Sequence, residues 1–462
     1  MNNMSEVRYV AATGALGVGV DQAALMSSLE LKPHFIAADA GTTDAGPFSL
    51  GSGRAAFARE SVKRDLTHVL VASREAGIPA LIGSAGTAGA DAHVDWVLDI
   101  AREIVDEVGL SVRTAVIRSQ QNSAYLLQLY REGRIRPLDP APPLDEKLFE
   151  RSSRIVGMMG VEPLQAALEE GADFVLAGRC SDPALYAALP TMRGLPPGLA
   201  WHAGKVTECG TMACEGGRGG VITGTIREHE AIIRPVGDGL RCTPQSVAAH
   251  SLYENADPYL HKECSGTLDL SGSQYIAVDE RTVRITGSAF HPAAEYTVKL
   301  EGAELIGHQS VMIGGIRDPY IVNRLDQWLG EVRAIIDRSV ERLLGLSPSE
   351  WTLTVHVYGR DAIMGRMEPE RSAVPHEVGI VVEATAGTQD TATKIAQLAR
   401  QPFLHHGVPE WMGGITSFAC LHNPAHIERG AVYRFNLNHI AIPHTQMEMF
   451  RTEIVQLGKA RA

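Results

Sequence analysis

Residues 35–47 read FIAADAGTTDAGP, an apolar run that ends at Asp39 and passes directly into a glycine-rich loop. The same succession recurs at residues 7–19 (VRYVAATGALGVG) and 79–89 (PALIGSAGTAG). Apolar runs that do not alternate with polar residues are typical of parallel strands covered on both faces. We therefore predict an α/β fold with a doubly wound, mostly parallel sheet.

Amphipathic stretches between these runs predict the covering helices. Val62, Leu66 and Val69 follow one another at helical spacing within residues 55–76. Further helices are predicted over residues 94–108 and 163–170, and further strands over 112–117 and 173–177. Proline-rich loops are expected at 137–143 and 190–197.

After Gly216 the pattern changes to one in which apolar and polar residues alternate. It predicts antiparallel strands at residues 221–226, 275–278, 282–285 and 296–300, which extend the parallel sheet. A helix is predicted over residues 322–344, and the sequence LSPS at 346–349 suggests a boundary. We therefore expect an α/β domain over residues 1–345 and a small α+β domain over residues 350–462.

Composition narrows the classes of protein to which the chain can belong. The chain has 462 residues, with 54 acidic and 42 basic side chains and a net charge of −12, which disfavours nucleic-acid binding. No apolar run approaches the roughly 20 residues that a membrane span needs, and the first residues lack a secretory pattern. The six cysteines show no paired secretory spacing. We expect a cytoplasmic homo-oligomer with reduced thiols that binds neither nucleic acid nor membranes.

The loop after the second predicted strand is the first candidate site. It carries two carboxylates, Asp39 and Asp44, and two hydroxyls, Thr42 and Thr43. Ligands of open parallel sheets bind beyond the carboxyl ends of the strands. We predict that Asp39 and Asp44 act as a general acid and base or hold a divalent metal, with Thr42 and Thr43 on the substrate. The alternative is that these side chains only cap local turns.

Two other glycine-rich loops follow predicted strands. Backbone amides around Gly14 and Gly17, and around Gly83, Ser84 and Gly86, could bind a phosphate or carboxylate. The first loop has the spacing G-x-x-G-x-G, not the dinucleotide spacing G-x-G-x-x-G, which argues against NAD as cofactor. The alternative is that the glycines only allow close packing.

The AGRCSDP and TECGTMACE segments supply the remaining candidates. Arg179 offers a forked donor for a substrate carboxylate, and Ser181 adds a hydroxyl beside it. Asp182 stands before a proline and is interpreted mainly as a helix cap. Glu208 is a candidate general acid or base, and Cys214 is a candidate nucleophile, although the sequence identifies no base for it.

These stretches also carry a family resemblance. The sequence resembles the acyclic terpene utilisation family in DAGTTDAGP, LGSG, VKRDL, IGSAGTAG, AGRCSDP and TECGTMACE, and later in YGRDAIMG, HEVGIVVEA and VYRFNLNHI. The resemblance covers nearly the whole chain and implies a catabolic role on terpenoid or other branched carboxylic acids, often as CoA thioesters. It also implies a small, separately encoded partner subunit. It assigns no catalytic residue.

The function that we expect is that of a lyase that adds or removes water beside a carboxyl or thioester group. The substrate would be a small carboxylic acid or an acyl-CoA. An isomerase using the same acid and base is one alternative, and a non-catalytic subunit of a two-protein complex is another.

Overall fold

The computed structural model describes residues 5–217, 219–412 and 416–458. The chain divides into two compact units. The first comprises Met1–Glu304 and Phe435–Ala462, and the second comprises Leu305–Arg434. The boundary predicted at residues 346–349 lies inside the second unit.

The strands are numbered in chain order. They are β1 (Glu6–Ala11), β2 (Phe35–Asp39), β3 (Ala80–Gly83), β4 (Val112–Arg118), β5 (Ile135–Pro137), β6 (Ser152–Met158), β7 (Phe174–Ala177), β8 (Glu215–Gly216), β9 (Val221–Arg227), β10 (Ala231–Val236), β11 (Leu240–Arg241), β12 (Leu260–Glu263), β13 (Gly266–Asp269), β14 (Gln274–Ala277), β15 (Val283–Thr286), β16 (Ala289–Pro292), β17 (Val298–Ile316), β18 (Trp351–Tyr358), β19 (Val378–Ala386), β20 (Phe418–Cys420), β21 (His426–Ala441) and β22 (Arg451–Leu457).

The α-helices are numbered in the same way. They are α1 (Gln22–Ser28), α2 (Phe48–Ser52), α3 (Arg59–Ala76), α4 (Asp91–Val108), α5 (Ser123–Arg131), α6 (Leu148–Arg151), α7 (Glu162–Glu169), α8 (Asp182–Met192), α9 (Pro197–Thr207), α10 (Pro244–Leu252), α11 (Pro319–Val322), α12 (Leu325–Leu344) and α13 (Gln389–His405). In the described part of the chain, no helix is long and apolar enough to cross a membrane.

A ten-stranded sheet organises the first unit, in the order β14-β15-β10-β9-β1-β2-β3-β7-β4-β22. The central strands β1, β2, β3, β7 and β4 are parallel. The strands on either side of them pair antiparallel. The prediction of an α/β fold with an antiparallel extension is therefore confirmed as a large mixed sheet with accompanying helices.

Successive residues of the central strands enter two different hydrophobic clusters. Tyr9 belongs to a cluster that contains side chains of α8 and α9, such as Leu185 and Trp201. Its neighbour Val10 belongs to a different cluster, which contains Leu66 of α3 and several side chains of α4. Because side chains alternate along a strand, the parallel centre of the sheet is buried on both faces.

The second unit has its own sheet and core. In it, β19 pairs antiparallel with β18 and with the later part of β17, and β20 also pairs with β17. Its core includes Trp328 and Ile336 of α12 and Phe403 of α13. The first unit keeps the opening residues of β17, which pair with β6.

The loop predicted at residues 190–197 is shorter in the structure, where it comprises residues 193–196. Pro190 lies inside α8, in its last turn, and α9 already begins at Pro197. All but the first residue of α9 are buried, so its sequence lacks the apolar stripe by which a surface helix is recognised.

Candidate active site

The ends of the parallel strands β2, β3 and β7, with the loops that follow them, place Asp39, Ser84 and Arg179 at one edge of the large sheet. Backbone hydrogen bonds join the loops that follow β2, β3 and β7. The amide of Ala40 donates to the carbonyl of Gly83 at 3.0 Å, and that of Thr87 donates to Ala40 at 3.1 Å. The amide of Ser84 donates to the carbonyl of Gly178 at 2.9 Å. The three loops therefore form one connected layer.

Glycine is required where these loops cross. Gly41 has a φ of 146°, and a Cβ there would lie 2.3 Å from the Cα of Thr87. Gly89 has a φ of 66°, and its Cβ would lie 2.0 Å from the backbone nitrogen of Arg179. The close packing that these glycines permit brings Arg179 against the loop after β3.

The two glycines predicted to bind substrate after β3 also pack closely. A Cβ on Gly83 would lie 2.9 Å from Leu185 Cδ1, and a Cβ on Gly86 would lie 2.9 Å from His93 Cβ. The structure shows that both glycines allow close packing. Their role in binding an anion stays a prediction.

A carboxylate of the protein itself occupies the glycine-rich loop after β1. Oδ2 of Asp65, on α3, accepts the amides of Gly17 at 2.8 Å and Gly19 at 2.9 Å. Its Oδ1 accepts Nε of Arg64 at 2.8 Å. Asp65 is fully buried, so these amides are not available to a phosphate. Gly14 packs against the backbone of Cys209 instead.

A cavity of about 750 Å³, the first cavity, opens beside this loop. Its lining is mostly small and glycine-rich. The lining residues are Ala12, Thr13, Gly14, Ala15, Val18, Gly19, Val20, Asp21, Arg64, Cys209, Thr211, Met212, Gly219 and Gly220.

Arg179 organises a cluster of carboxylates at the same sheet edge. Its Nε lies 2.9 Å from Oε2 of Glu301, and its Nη1 donates to Oγ of Ser84 at 3.1 Å. Nη1 also lies 3.7 Å from Oδ1 of Asp182. The guanidinium predicted to hold a substrate carboxylate is therefore engaged by carboxylates of the protein.

Glu301 is held in its ionised form. Lys299 Nζ lies 2.9 Å from its Oε1, and Arg179 lies at its other oxygen. Although burial opposes ionisation, the charges of Arg179 and Lys299 lower the pKa of Glu301 to about 2. At neutral pH the carboxylate of Glu301 is therefore ionised and accepts hydrogen bonds from Arg179 and Lys299.

Asp39 and Asp182 have pKa values that are shifted upward. Asp39 accepts the amide of Gly41 through Oδ2, whereas its buried Oδ1 has no hydrogen-bond partner among the described residues. Burial, and then the charge of Asp182, raise the pKa of Asp39 well above its usual value, against the effect of Arg179. Burial also raises the pKa of Asp182 to about 6, although its side chain is 31% exposed.

Two glutamates complete the cluster. Glu208 lies 2.6 Å from Nζ of Lys205, and Glu263 accepts Oγ of Ser181 at 2.8 Å. Burial raises the pKa of Glu208 and of Glu263 to about 8 each, and the charge of Asp182 contributes to both shifts. At neutral pH both glutamates are therefore mainly protonated, while Asp182 is mainly ionised.

A cavity of about 340 Å³, the second cavity, adjoins Glu301. Asp44 and Thr43 reach it from the predicted loop, while Thr42 Oγ1 accepts the amide of Asp44 at 3.1 Å. The lining residues are Thr43, Asp44, Pro140, Pro142, Lys299, Glu301, Phe435, Leu437 and Asn438.

Cys214 has a thiol partner. Its Sγ lies 3.5 Å from Sγ of Cys242. The role of Cys214 as a nucleophile stays a prediction. The contact of its sulfur atom in the structure is with the thiol of Cys242.

The assignment of Asp182 as a helix cap is wrong. Ser181 is the N-cap of α8, and Asp182 is the first residue of the helix. This position directs its carboxylate toward Arg179, three residues earlier, at 3.7 Å. The i,i+3 spacing of Arg179 and Asp182 was the available sequence signal.

Sequence reasoning missed four other members of the cluster. Lys205 lies on α9, three residues before Glu208. Because nearly every residue of this helix is buried, its sequence shows no polar face that would have indicated Lys205. Glu263, Lys299 and Glu301 come from β12 and β17, far along the chain, and no local pattern distinguishes them. Among the described residues, no group of three or more His, Cys, Asp or Glu side chains is placed to hold a metal ion.

The first unit is thus an α/β fold whose parallel strands end at a buried cluster of carboxylates around an arginine. A family model described as "Acyclic terpene utilisation family protein AtuA" matches residues 38–434. The chain belongs to this family, which confirms the resemblance predicted from the sequence and implies involvement in acyclic terpene utilisation. No curated protein and no solved structure matches the chain.

Proposed function

We propose that the chain is an acid–base enzyme of acyclic terpene utilisation. It would add water to, or remove water from, a branched or unsaturated carboxylic acid or its CoA thioester. The observation that carries this proposal is that carboxyl groups gather around Arg179 in different surroundings: Asp182 lies near Arg179, Glu208 near Lys205, and Glu263 at the hydroxyl of Ser181. Asp182 has a pKa of about 6, and Glu208 and Glu263 have pKa values of about 8. Dehydration needs a base for a C–H proton and an acid for the departing hydroxyl, and such pairs arise from divergent environments.

Each member of the cluster has a distinct proposed role. Asp182, whose side chain is 31% exposed, is the proposed base. Glu208 or Glu263 is the acid. Asp39 is buried and acts as a positioning residue, because its proton and the charge of Asp182 are interdependent.

The second cavity is the proposed substrate site, although Asp182 is not among its lining residues. Glu301 connects the cavity to Arg179, which lies 3.7 Å from Asp182, and Asp44 in the cavity lining acts on Asp182 through its charge. Lys299 supplies a cation for a carboxylate, and its side chain is 37% exposed. Phe435 and Leu437 supply apolar surface for a branched hydrocarbon chain. A volume of about 340 Å³ is within the range of small-molecule sites.

The test is Asp182→Asn, assayed on free branched or unsaturated acids and on their CoA thioesters. Loss of general base catalysis should lower kcat by at least about 100-fold while the fold is retained. Asp99→Asn, on the exposed face of α4, is the matched control and should leave kcat unchanged. Equal rates for Asp182→Asn and the parent chain would overturn the proposal.

Isotope labelling separates the alternatives. A hydro-lyase incorporates heavy oxygen from labelled water into the hydroxy acid. An isomerase using the same groups incorporates only deuterium from deuterated water. A non-catalytic subunit of a two-protein complex would leave every substrate unchanged, and Asp182→Asn would then have no effect on the activity of the complex.

Ligand binding can be tested without a known reaction. A thermal-shift panel compares free acids, their thioesters, CoA and NAD, each with and without Mg²⁺. A ligand at 100 times its Kd adds about 2.7 kcal/mol of stability. Stabilisation by free acids that disappears in Lys299→Met supports the second cavity, whereas stabilisation by CoA alone would place the ligand elsewhere. The proposed small partner subunit would be sought by co-purification.

A further inference from the structure

Two cysteine thiols face each other across a short two-stranded ribbon in the first unit. In that ribbon, β8 and β11 pair antiparallel, with Glu215 opposite Arg241. One step further along each strand are Cys214 and Cys242, whose Sγ atoms lie 3.5 Å apart. The two cysteines are therefore directly opposite each other in the register of the ribbon.

The backbone around the pair suits a disulfide. The amide of Cys214 donates to the carbonyl of Thr211, and that of Cys242 donates to the carbonyl of Arg281, both at 3.0 Å. Opposed residues that do not exchange backbone hydrogen bonds have Cα atoms about 4.5 Å apart, inside the range of about 4.4–6.8 Å that disulfides require. Shortening the sulfur–sulfur distance to about 2.05 Å therefore needs only side-chain rotation.

The other described cysteines lack such an arrangement. Sγ of Cys180 and Sγ of Cys264 each donate to a backbone carbonyl, and both residues are buried. Cys209 lies 2.9 Å from the hydroxyl of Tyr253. Cys420 belongs to the second unit. Selective pairing of Cys214 with Cys242 is thus built into the ribbon.

We propose that Cys214 and Cys242 are a redox-modification site that closes reversibly to an intramolecular disulfide. Cys214, the half-buried member, attacks a low-molecular-weight disulfide as its thiolate, forms a mixed disulfide and releases one thiol. The thiol of Cys242 then attacks Sγ of Cys214, and its proton passes to the departing thiolate, which leaves as the second thiol. Two protein thiols are oxidised and one external disulfide is reduced to two thiols.

The disulfide would act on the first cavity. Cys214 follows the short helical turn Gly210–Ala213, and Thr211 and Met212 of that turn line the cavity. Gly219 and Gly220, which follow β8, line the same cavity. Linking Cys214 to Cys242 fixes the turn Gly210–Ala213 to the end of β11, so oxidation should stiffen the part of the cavity wall formed by Thr211 and Met212.

The test uses oxidised glutathione as the probe on the folded full chain, followed by alkylation of free thiols and peptide mapping. We expect one linkage, between the peptides that contain Cys214 and Cys242, with four of the six thiols remaining alkylated and full reversal by dithiothreitol. The oxidised chain should also melt several degrees higher than the reduced chain. Cys214→Ser and Cys242→Ser should abolish the linkage, whereas Cys420→Ser, the matched control, should retain it.

The parent chain alone can overturn the proposal. Six alkylated thiols after oxidation, a glutathione adduct that never resolves, or a linkage to a different cysteine would each contradict it. None of these outcomes depends on the folding of a variant, and none bears on the proposed acid–base chemistry.

Discussion

Nε of Arg179 lies 2.9 Å from Oε2 of Glu301, and the two side chains are only 7% and 8% exposed. A buried ion pair is weak evidence of net stabilisation, but removal of one partner leaves an uncompensated buried charge. Arg179 also lies 3.7 Å from Asp182, so one guanidinium serves two carboxylates of the cluster.

We therefore predict that Arg179→Ala lowers the free energy of unfolding by about 3 kcal/mol or more, as for other broken buried pairs. Urea denaturation measures this loss. Arg102→Ala, which removes an exposed pair with Asp99, should change stability by less than about 1 kcal/mol. Equal losses in the two variants would contradict the organising role of Arg179.

Stability should fall as pH rises from about 5 to 8, because of Glu208. Its pKa is about 8 in the folded chain, against an unperturbed value of 4.5. In this interval the folded state retains a proton that the unfolded state loses, so folding weakens by up to about 1.4 kcal/mol per pH unit. Below this interval both states are protonated, and this contribution to stability is fully present.

Glu208→Gln should remove the part of this dependence that Glu208 contributes, since an amide does not titrate, while the part due to Glu263 remains. Urea unfolding at several pH values would measure this effect: the free energy of unfolding of the variant should increase relative to that of the parent chain as pH rises. Glu60→Gln, at an exposed position of α3, is the matched control and should run parallel to the parent. A parallel curve for Glu208→Gln would instead show that Glu208 is ionised in the folded chain.

If Asp182 is the catalytic base, kcat/KM should rise with pH through a value near 6, the pKa of its carboxyl. The charge of Asp44 contributes to raising that pKa, so Asp44→Asn should move the rising limb to lower pH. Asp44 is exposed, and its replacement should leave the fold intact. Abolished activity at every pH would show that Asp44 itself takes part in the chemistry, as the sequence predicted.

Gly89→Ala should destabilise the first unit by several kcal/mol, since its Cβ would meet the backbone nitrogen of Arg179 at 2.0 Å. Gly77→Ala separates this clash from the cost of a positive φ alone. Gly77 has a φ of 65°, and a Cβ there meets nothing within 4 Å, so the cost should be only about 1–2 kcal/mol. Similar melting temperatures for the two variants would refute the packing argument.

The strand-end loops could be predicted because each is encoded locally. An apolar run followed by a glycine-containing loop places Asp39, Ser84 and Arg179 at one edge, since parallel strands end together. The helices α3 and α4 were predictable for the same reason, because each buries one stripe of side chains.

The rest depends on contacts between distant parts of the chain. Asp65 fills the loop around Gly17 from 48 residues away, and this removed the amides that suggested a phosphate. Glu263 reaches Ser181 across 82 residues, and Glu301 reaches Arg179 across 122. No local periodicity encodes such partners. The sequence therefore indicated the edge of the sheet at which the site lies, but not which charged side chains pair with each other there.

The order of synthesis matters for β22. This strand pairs with β4 along Arg118 to Val112, yet residues 305–434 of the second unit lie between the two in the chain. A ribosome therefore makes the whole second unit before it makes the strand that covers β4. During that interval β4 exposes an unpaired row of backbone groups, the kind of edge to which other nascent chains can add. Because β22 is made late, chaperone protection would be needed at the side of the sheet formed by β4.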